Sequence, residues 1–465
     1  MAKPILVLQM QRMGDLILSF PLFLWLKKTY PNRAIHVVAE KNFFDGLVGL
    51  SPGVLYIPWQ AKDKVLSNKY SLVINLSHRS EAAWLAGRVK SKEITGAYAD
   101  DQGVLRVAGK WQLYRSSIVQ NNRYNRFHWA ELNALDVIDP AMMKMTRWKN
   151  PVIDPGSRRV GVFIGASQES KRPGPDFFAL LCKELIRRQY QPVILGGPDE
   201  KKLAKNVLKL CSVRPLSLAG RLSLDQLAGA FKGLGLIITP DTGPMHLAAW
   251  MGLPTLNLSL GPVNPWETGP YQPGHMVMRS NISCSGCWEC IQKSPLCVDA
   301  FKVRQVILVM EKMMSRDLSD FEGADFRGVN VHETGRKKGF YDLFPVKARE
   351  TAAVSLASFW QSFWKFQLGP GNEKQVVKAA AVIREKYPFV MKKFRQSSVS
   401  FVSQLKAIVR KGDIPDSGFW KQSPPYFRPF VGYAHLLWQN QDYGHASLST
   451  SIKMVQDLLD IIQDG

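Results

Sequence analysis

Four polar stretches, each following an apolar run, carry residues whose types and spacing could do chemistry. In Pro240-Asp241-Thr242-Gly243-Pro244-Met245-His246, the strand-like Ile237-Ile238-Thr239 gives way to a helix start near Asp241–Pro244. Asp or Thr is a good N-cap, and Pro suits a first helical turn. The first amides of such a helix lack partners and carry partial positive charge. Gly243 lets an anion approach the backbone, so the stretch reads as a phosphate or diphosphate seat, with His246 as a further donor. A capped α/β turn with a buried His has the same sequence. In Arg12-Met13-Gly14-Asp15, Asp15 falls where a first strand meets a first helix. A carboxylate there could take a proton from a substrate hydroxyl, or could only cap the helix. The helix dipole is expected to favour its ionised form.

The other two stretches lie in the second half. Gly165-Ala166-Ser167-Gln168-Glu169-Ser170-Lys171 offers a hydroxyl at Ser167 and a point charge at Lys171 for phosphate oxygens. Gly196-Gly197-Pro198-Asp199-Glu200 offers an acid, Glu200, that could hold ribose hydroxyls or simply open the next helix. Three of these loops end strands of one half, so their convergence on a nucleotide diphosphate is the stronger argument.

The elements that must position these loops alternate between strand and helix. Strands are expected at residues 4–9, 35–39, 54–57, 72–76 and 94–96, with a helix over 16–29 and another over 80–87. Residues 103–139 look helical, and 140–156, with Pro151 and Pro155, look like a linker. A second alternating set runs through strands at 159–164, 191–196, 216–218, 237–239 and 254–258, then an irregular loop to about residue 272. This pattern implies an α/β fold: two Rossmann-like domains facing a cleft, with ligands at the carboxyl ends of the strands. The expected domains are 1–155 for acceptor, 156–320 for donor, and 321–465 for a hairpin and a mostly helical extension. No G-x-G-x-x-G follows a strand, which disfavours a dinucleotide oxidoreductase.

These motifs together resemble the ADP-heptose lipopolysaccharide heptosyltransferases, glycosyltransferase family 9. The resemblance rests on Arg12-Met13-Gly14-Asp15 with Pro21, the Ser167/Lys171 loop, the Gly196–Glu200 loop and Pro240–Ala249, and spans roughly residues 3–315. It implies a GT-B fold and metal-independent, inverting transfer. It implies that Asp15 activates the acceptor hydroxyl and that Ser167 and Lys171 hold the diphosphate, Lys171 offsetting leaving-group charge. It implies that Glu200 binds the ribose, that Asp241 contacts donor sugar hydroxyls, and that Thr242, Gly243 and His246 bind phosphate. The family often has Thr-Thr where this chain has Ala166-Ser167, which bears on donor identity more than on diphosphate binding.

Composition narrows the partners. A net charge of +23 suits nucleic acid, an anionic membrane face or phosphorylated substrates. RNA-binding aromatic signatures, zinc-finger His pairs and basic heptads are lacking, which leaves an anionic lipid surface or glycolipid acceptor and no nucleic acid. No apolar run is long enough to span a bilayer, and the N-terminus enters a strand at once, so a cytoplasmic chain with reduced thiols, peripheral to the inner membrane face, is expected. Cys284, Cys287, Cys290 and Cys297 crowd one loop and could hold structural zinc or an iron–sulfur cluster, or could be reduced thiols. The aromatic run Phe359-Trp360 to Phe363-Trp364 suits either an interfacial anchor or a core.

The leading expectation is an inverting glycosyltransferase that moves a sugar, heptose first, from a nucleotide-diphosphate donor to a lipopolysaccharide core or related glycolipid. The alternatives are a family member with another donor or acceptor, such as an O-antigen sugar or a protein, and a non-catalytic sugar-nucleotide-binding scaffold.

Overall fold

A computed structural model describes residues 2–290, 292–318, 321, 325–412 and 414–463. Its first sheet has six strands in the order β3-β2-β1-β4-β5-β6. They are β1 (Ile5–Leu8), β2 (Ile35–Ala39), β3 (Leu55–Pro58), β4 (Lys69–Asn75), β5 (Lys90–Ala99) and β6 (Leu105–Ala108). The central strands are unbroken apolar runs because helices cover both faces; Ile5 to Leu8 are all fully buried. All pairings are parallel except β5 with β6.

Three local expectations are corrected in this half. The single helix over 16–29 is two helices, Met13–Ile17 and Phe20–Thr29. Pro21 has no amide to bond back to the Ile17 carbonyl, so the first helix ends and Pro21 opens the second. The helical reading of 103–139 gives way to β6 followed by the helices Lys110–Ser117 and Trp129–Leu132. Gly103 and Gly109 bracket β6 with φ of +81° and +100°, conformations that interrupt any helix through them. The linker holds one short helix, Pro140–Met145, whose N-cap Asp139 accepts a hydrogen bond from the Ala141 amide.

The second sheet has eight strands in the order β14-β13-β12-β11-β10-β7-β8-β9. Here β7 is Arg159–Phe163, β8 Gln191–Leu195, β9 Leu216–Ser217, β10 Leu236–Pro240 and β11 Thr255–Ser259. β12 (Met276–Ser280) follows the irregular loop and has no counterpart in the sequence reading. The hairpin β13 (Val329–Lys337) and β14 (Phe340–Lys347) pairs antiparallel with β12, so it extends this sheet rather than standing apart from it. The expected boundary at residues 320/321 straddles a residue outside the described ones.

Five long helices follow: Ala352–Leu368, Glu373–Lys386, Pro388–Lys411, Arg428–Asn440 and His445–Gln463. They pack on the first lobe. Arg106 pairs with Asp442 at 2.7 Å, and the Asn440 side chain bonds the Val107 amide at 2.6 Å and carbonyl at 3.0 Å. Phe359, Trp360, Phe363 and Trp364 are each at most 1% exposed, so the aromatic helix is core and offers no face to a bilayer. No helix among the described residues is long and apolar enough to cross a membrane.

Candidate active site

The two halves of the sequence argument meet at one point. The Asp15 helix (Met13–Ile17) at the end of β1 abuts the helix Gly243–Trp250 at the end of β10. A Cβ on Gly14 would stand 3.2 Å from the Gly243 Cα and 3.2 Å from His246 Cδ2. A Cβ on Gly243 would stand 3.3 Å from the Gly14 nitrogen and collide with the Met13 side chain. Glycine at both positions lets the backbones of the two lobes touch at the floor of the crevice.

Asp15 Oδ2 accepts the Arg12 amide at 3.3 Å, and its carbonyl is held by Ser19 Oγ at 2.9 Å. The capping reading and the base reading are therefore compatible. Burial raises the Asp15 carboxyl, opposed by the charge of Arg115 and by the Arg12 amide. The expectation that the dipole sets its ionisation is corrected: a five-residue helix supplies little field, and lost hydration outweighs it. A raised carboxylate is a stronger base once ionised.

Asp241 follows β10, with its side chain 12% exposed. Its Oδ2 accepts a hydrogen bond from Thr268 Oγ1 at 3.0 Å, while Oδ1 is buried without a partner. Burial pushes it up to about 6, with Lys171 pulling down and Asp15 pushing up. Those influences bring Asp15, Lys171 and Asp241 into one electrostatic neighbourhood. His246 Nε2 lies 3.8 Å from Asp241 Oδ1, and its Nδ1 has no partner. Burial pushes the ring down to about 3, so it is neutral near pH 7 and can give one N–H. Thr242 is the N-cap in extended backbone and uses no side-chain cap, which leaves its hydroxyl free.

Glu200 is fixed from two sides. The Gly197 amide donates to its Oε2 at 2.7 Å, and its side chain lies over Gly165, where a Cβ would come within 2.6 Å of the carboxyl carbon. It also precedes the Lys201–Leu210 helix, so the helix-opening reading holds. Lys171 ends the short turn Glu169–Lys171. Gly261, at φ +66°, brings the loop after β11 against the Ser170 carbonyl. Ser167 stands exposed on the Lys171 loop.

Sequence reasoning missed or underused three residues. Arg115, 3% exposed, donates to the Leu76 carbonyl at 2.8 Å and acts electrostatically on Asp15. Its helix was legible but its facing was not. Arg279, 8% exposed at the end of β12, exerts charge on Asp241. Glu267, 9% exposed, accepts from Asn125 Nδ2 at 3.2 Å and is pushed up to about 8 by burial. The only sequence signal for Arg279 and Glu267 was a charge within an otherwise apolar stretch.

The four cysteines are near neighbours, with Cys284, Cys290 and Cys297 each acting on Cys287. Among the described residues no three His, Cys, Asp or Glu side chains gather to hold a metal ion; Cys297 is buried and Cys290 exposed. Across the lobes, Glu131 Oε1 accepts from Arg336 Nη1 at 3.1 Å and from the Tyr341 amide at 2.6 Å, tying the first lobe to the hairpin. His128 Nδ1 accepts the Ala130 amide, so Nε2 carries the proton and donates to the Gly269 carbonyl at 2.9 Å.

The sequence profile of glycosyltransferase family 9 (heptosyltransferase) matches residues 59–295. The lipopolysaccharide core heptosyltransferase OpsX of Haemophilus influenzae is 20% identical, over 58% of this chain and 82% of that protein. A family 9 glycosyltransferase structure from Veillonella parvula superposes with TM-score 0.54 at 21% identity, covering 68% of this chain and 98% of that one. The ADP-heptose lipopolysaccharide heptosyltransferase II of Escherichia coli gives 0.51 at 19% identity, covering 68% and 99%. At these identities the superpositions speak to fold, the GT-B arrangement of two facing Rossmann-like lobes.

Proposed function

This chain belongs to glycosyltransferase family 9, the heptosyltransferases, and from that premise we propose that it moves a heptose from a nucleotide-diphosphate donor to a glycolipid acceptor of the lipopolysaccharide core type. The observation that carries the reading is the meeting of the Asp15 and Gly243 helix starts across the crevice. Asp15 lies ahead of the matched residues, so its role rests on this geometry and on its motif.

In the proposed reaction an acceptor hydroxyl gives its proton to Asp15 as its oxygen attacks the anomeric carbon. The bond from that carbon to the diphosphate oxygen breaks, the electron pair leaves with the diphosphate, and the sugar inverts. Lys171 and the first amides of the Gly243–Trp250 helix offset the growing negative charge. Asp241 Oδ1, buried and unpartnered, takes a donor sugar hydroxyl. Glu200 holds the ribose, Ser167 and Thr242 donate to phosphate oxygens, and neutral His246 offers an N–H. None of these steps calls for a metal. Residues 1–155 would seat the acceptor, and the second sheet with its hairpin the donor. The net charge of +23 supports work at an anionic lipid surface such as the cytoplasmic leaflet.

Two assays test this. Calorimetry with ADP-, UDP- and GDP-sugars should show a preference for ADP-heptose; no binding to any of them would overturn the assignment. Asp15→Ala should abolish transfer while nucleotide binding survives. Unchanged turnover in that variant would remove the assigned base.

A further inference from the structure

A cavity of about 130 Å³ opens where the first lobe, the second lobe and the extension meet. Its wall includes Arg123 and Arg126 from the first lobe, Trp266 and Arg279 from the second, and Ala353 and Val354 from the first turn of the Ala352–Leu368 helix. The volume is too small for a nucleotide sugar and fits a single compact group.

Two guanidinium groups in this wall make no direct ion pair among the described residues. Arg279 is 8% exposed, and its one hydrogen bond among the described residues goes from Nη1 to the Ser259 carbonyl at 3.2 Å. Arg126 gives Nη1 to Ser358 Oγ at 2.8 Å and lies over the Trp266 ring at 4.7 Å, while its Nε is buried without a partner. Neither has a carboxylate within ion-pair distance among the described residues. The nearest acids act on them only at longer range: Asp342 on Arg126, with Oδ1 accepting from Trp266 Nε1 at 3.0 Å, and Asp241 on Arg279, with Oδ2 accepting from Thr268 Oγ1 at 3.0 Å. Arg123 is exposed at the mouth and bonds the Ser283 carbonyl. Thr351 caps the adjoining helix through the Val354 amide, which leaves the Ala352 and Ala353 amides without partners inside the helix. Buried charges in folded proteins are ordinarily paired, and guanidinium forks match tetrahedral oxyanions.

We propose that this cavity binds one phosphate-type oxyanion, held by Arg126 and Arg279 and by the first amides of the Ala352–Leu368 helix. The group is either a phosphate ester on the acceptor, which rests on the function proposed above, or free inorganic phosphate, which does not. The extension would then complete an anion site that neither lobe makes alone.

Calorimetry of the full chain with inorganic phosphate, with the donor site filled by ADP, tests the proposal. Arg279→Gln should weaken phosphate binding about tenfold or more, the loss of a charge-assisted contact. Should that variant not fold, Ala353→Glu serves: position 353 is exposed, a carboxylate suits a first helical turn, and it would occupy the mouth. Native chain and Ala353→Glu binding phosphate equally, or native chain not binding it, would overturn the proposal. Unchanged ADP-sugar binding in Ala353→Glu, whose position lies outside the donor machinery, would leave the donor assignment standing either way. In transfer assays, a native preference for a phosphorylated over a dephosphorylated acceptor that disappears in Ala353→Glu identifies the ester as the ligand. Phosphate binding without such a preference identifies free phosphate.

Discussion

At the crevice floor, Asp241 Oδ1 and His246 Nδ1 are buried without partners, two glycines face each other, and two acids are raised by lost hydration. In the middle of the extension, Phe359, Trp360, Phe363 and Trp364 are as deeply buried, but ring packs on ring. Trp360 stands 5.3 Å from Phe394 edge to face, and Trp364 stands 4.8 Å from Tyr433. Trp360 Nε1 gives its hydrogen to the Tyr426 carbonyl at 2.9 Å, and Trp438 Nε1 gives its own to Ser451 at 2.8 Å. One region leaves buried carboxylate and imidazole atoms unpaired; the other bonds Trp360 and Trp438 Nε1 internally and leaves only the weaker indole donor of Trp364 among rings. The difference separates residues kept for chemistry from residues kept for folding.

Substitutions in the two regions should therefore fail in different ways. The largest effect is expected from Asp15→Asn: turnover falls by about 10²- to 10⁴-fold with little change in melting temperature. In the native enzyme, the acidic limb of kcat/KM should lie above the ordinary aspartate range, because Asp15 must be ionised and its carboxyl is raised. Stopped turnover assays with parallel calorimetric melting check both; equal loss of stability and activity would break the comparison. Phe363→Ala should do the reverse, costing about 3–5 kcal/mol of stability in denaturant melts while kcat/KM of the folded fraction holds.

How far the sequence reached follows the same division. The strand-end loops were legible because parallel strands such as Ile237–Thr239 are continuous apolar runs followed by Pro, Asp and Gly. β6 was not, because Leu105 is 56% exposed on an antiparallel edge strand and carries no buried stripe. β12 was hidden behind a Pro- and Gly-rich loop and carries a charge, Arg279, one residue before its end. The hairpin's place in the second sheet depends on pairing across more than forty residues, for example Met276 with Glu333, which no local pattern encodes. The site's types and spacing were readable; its ionisation was not, since burial of Asp15 is a property of three packed elements.

A pH scan sharpens the electrostatic side. Glu267 is protonated more readily in the folded chain, at about 8, than in the unfolded one, near 4.5. Its contribution to stability is full below the unfolded value and is lost as pH rises through the folded value. Glu267→Gln should therefore melt progressively higher than the native chain between about pH 5 and 8. A flat difference across that range would mean that Glu267 is hydrated. The smallest effect is expected from Gly14→Ala, whose methyl would need the Gly243 backbone to yield by a few tenths of an ångström. A rise of about two- to tenfold in donor KM, with kcat less affected, is the expected reading.

Since Gly14 and Gly243 meet backbone to backbone, the base of the pocket is written in peptide groups rather than in side chains. Peptide groups cannot be exchanged by a codon change. The side chains around them can be rewritten while this backbone floor stays the same.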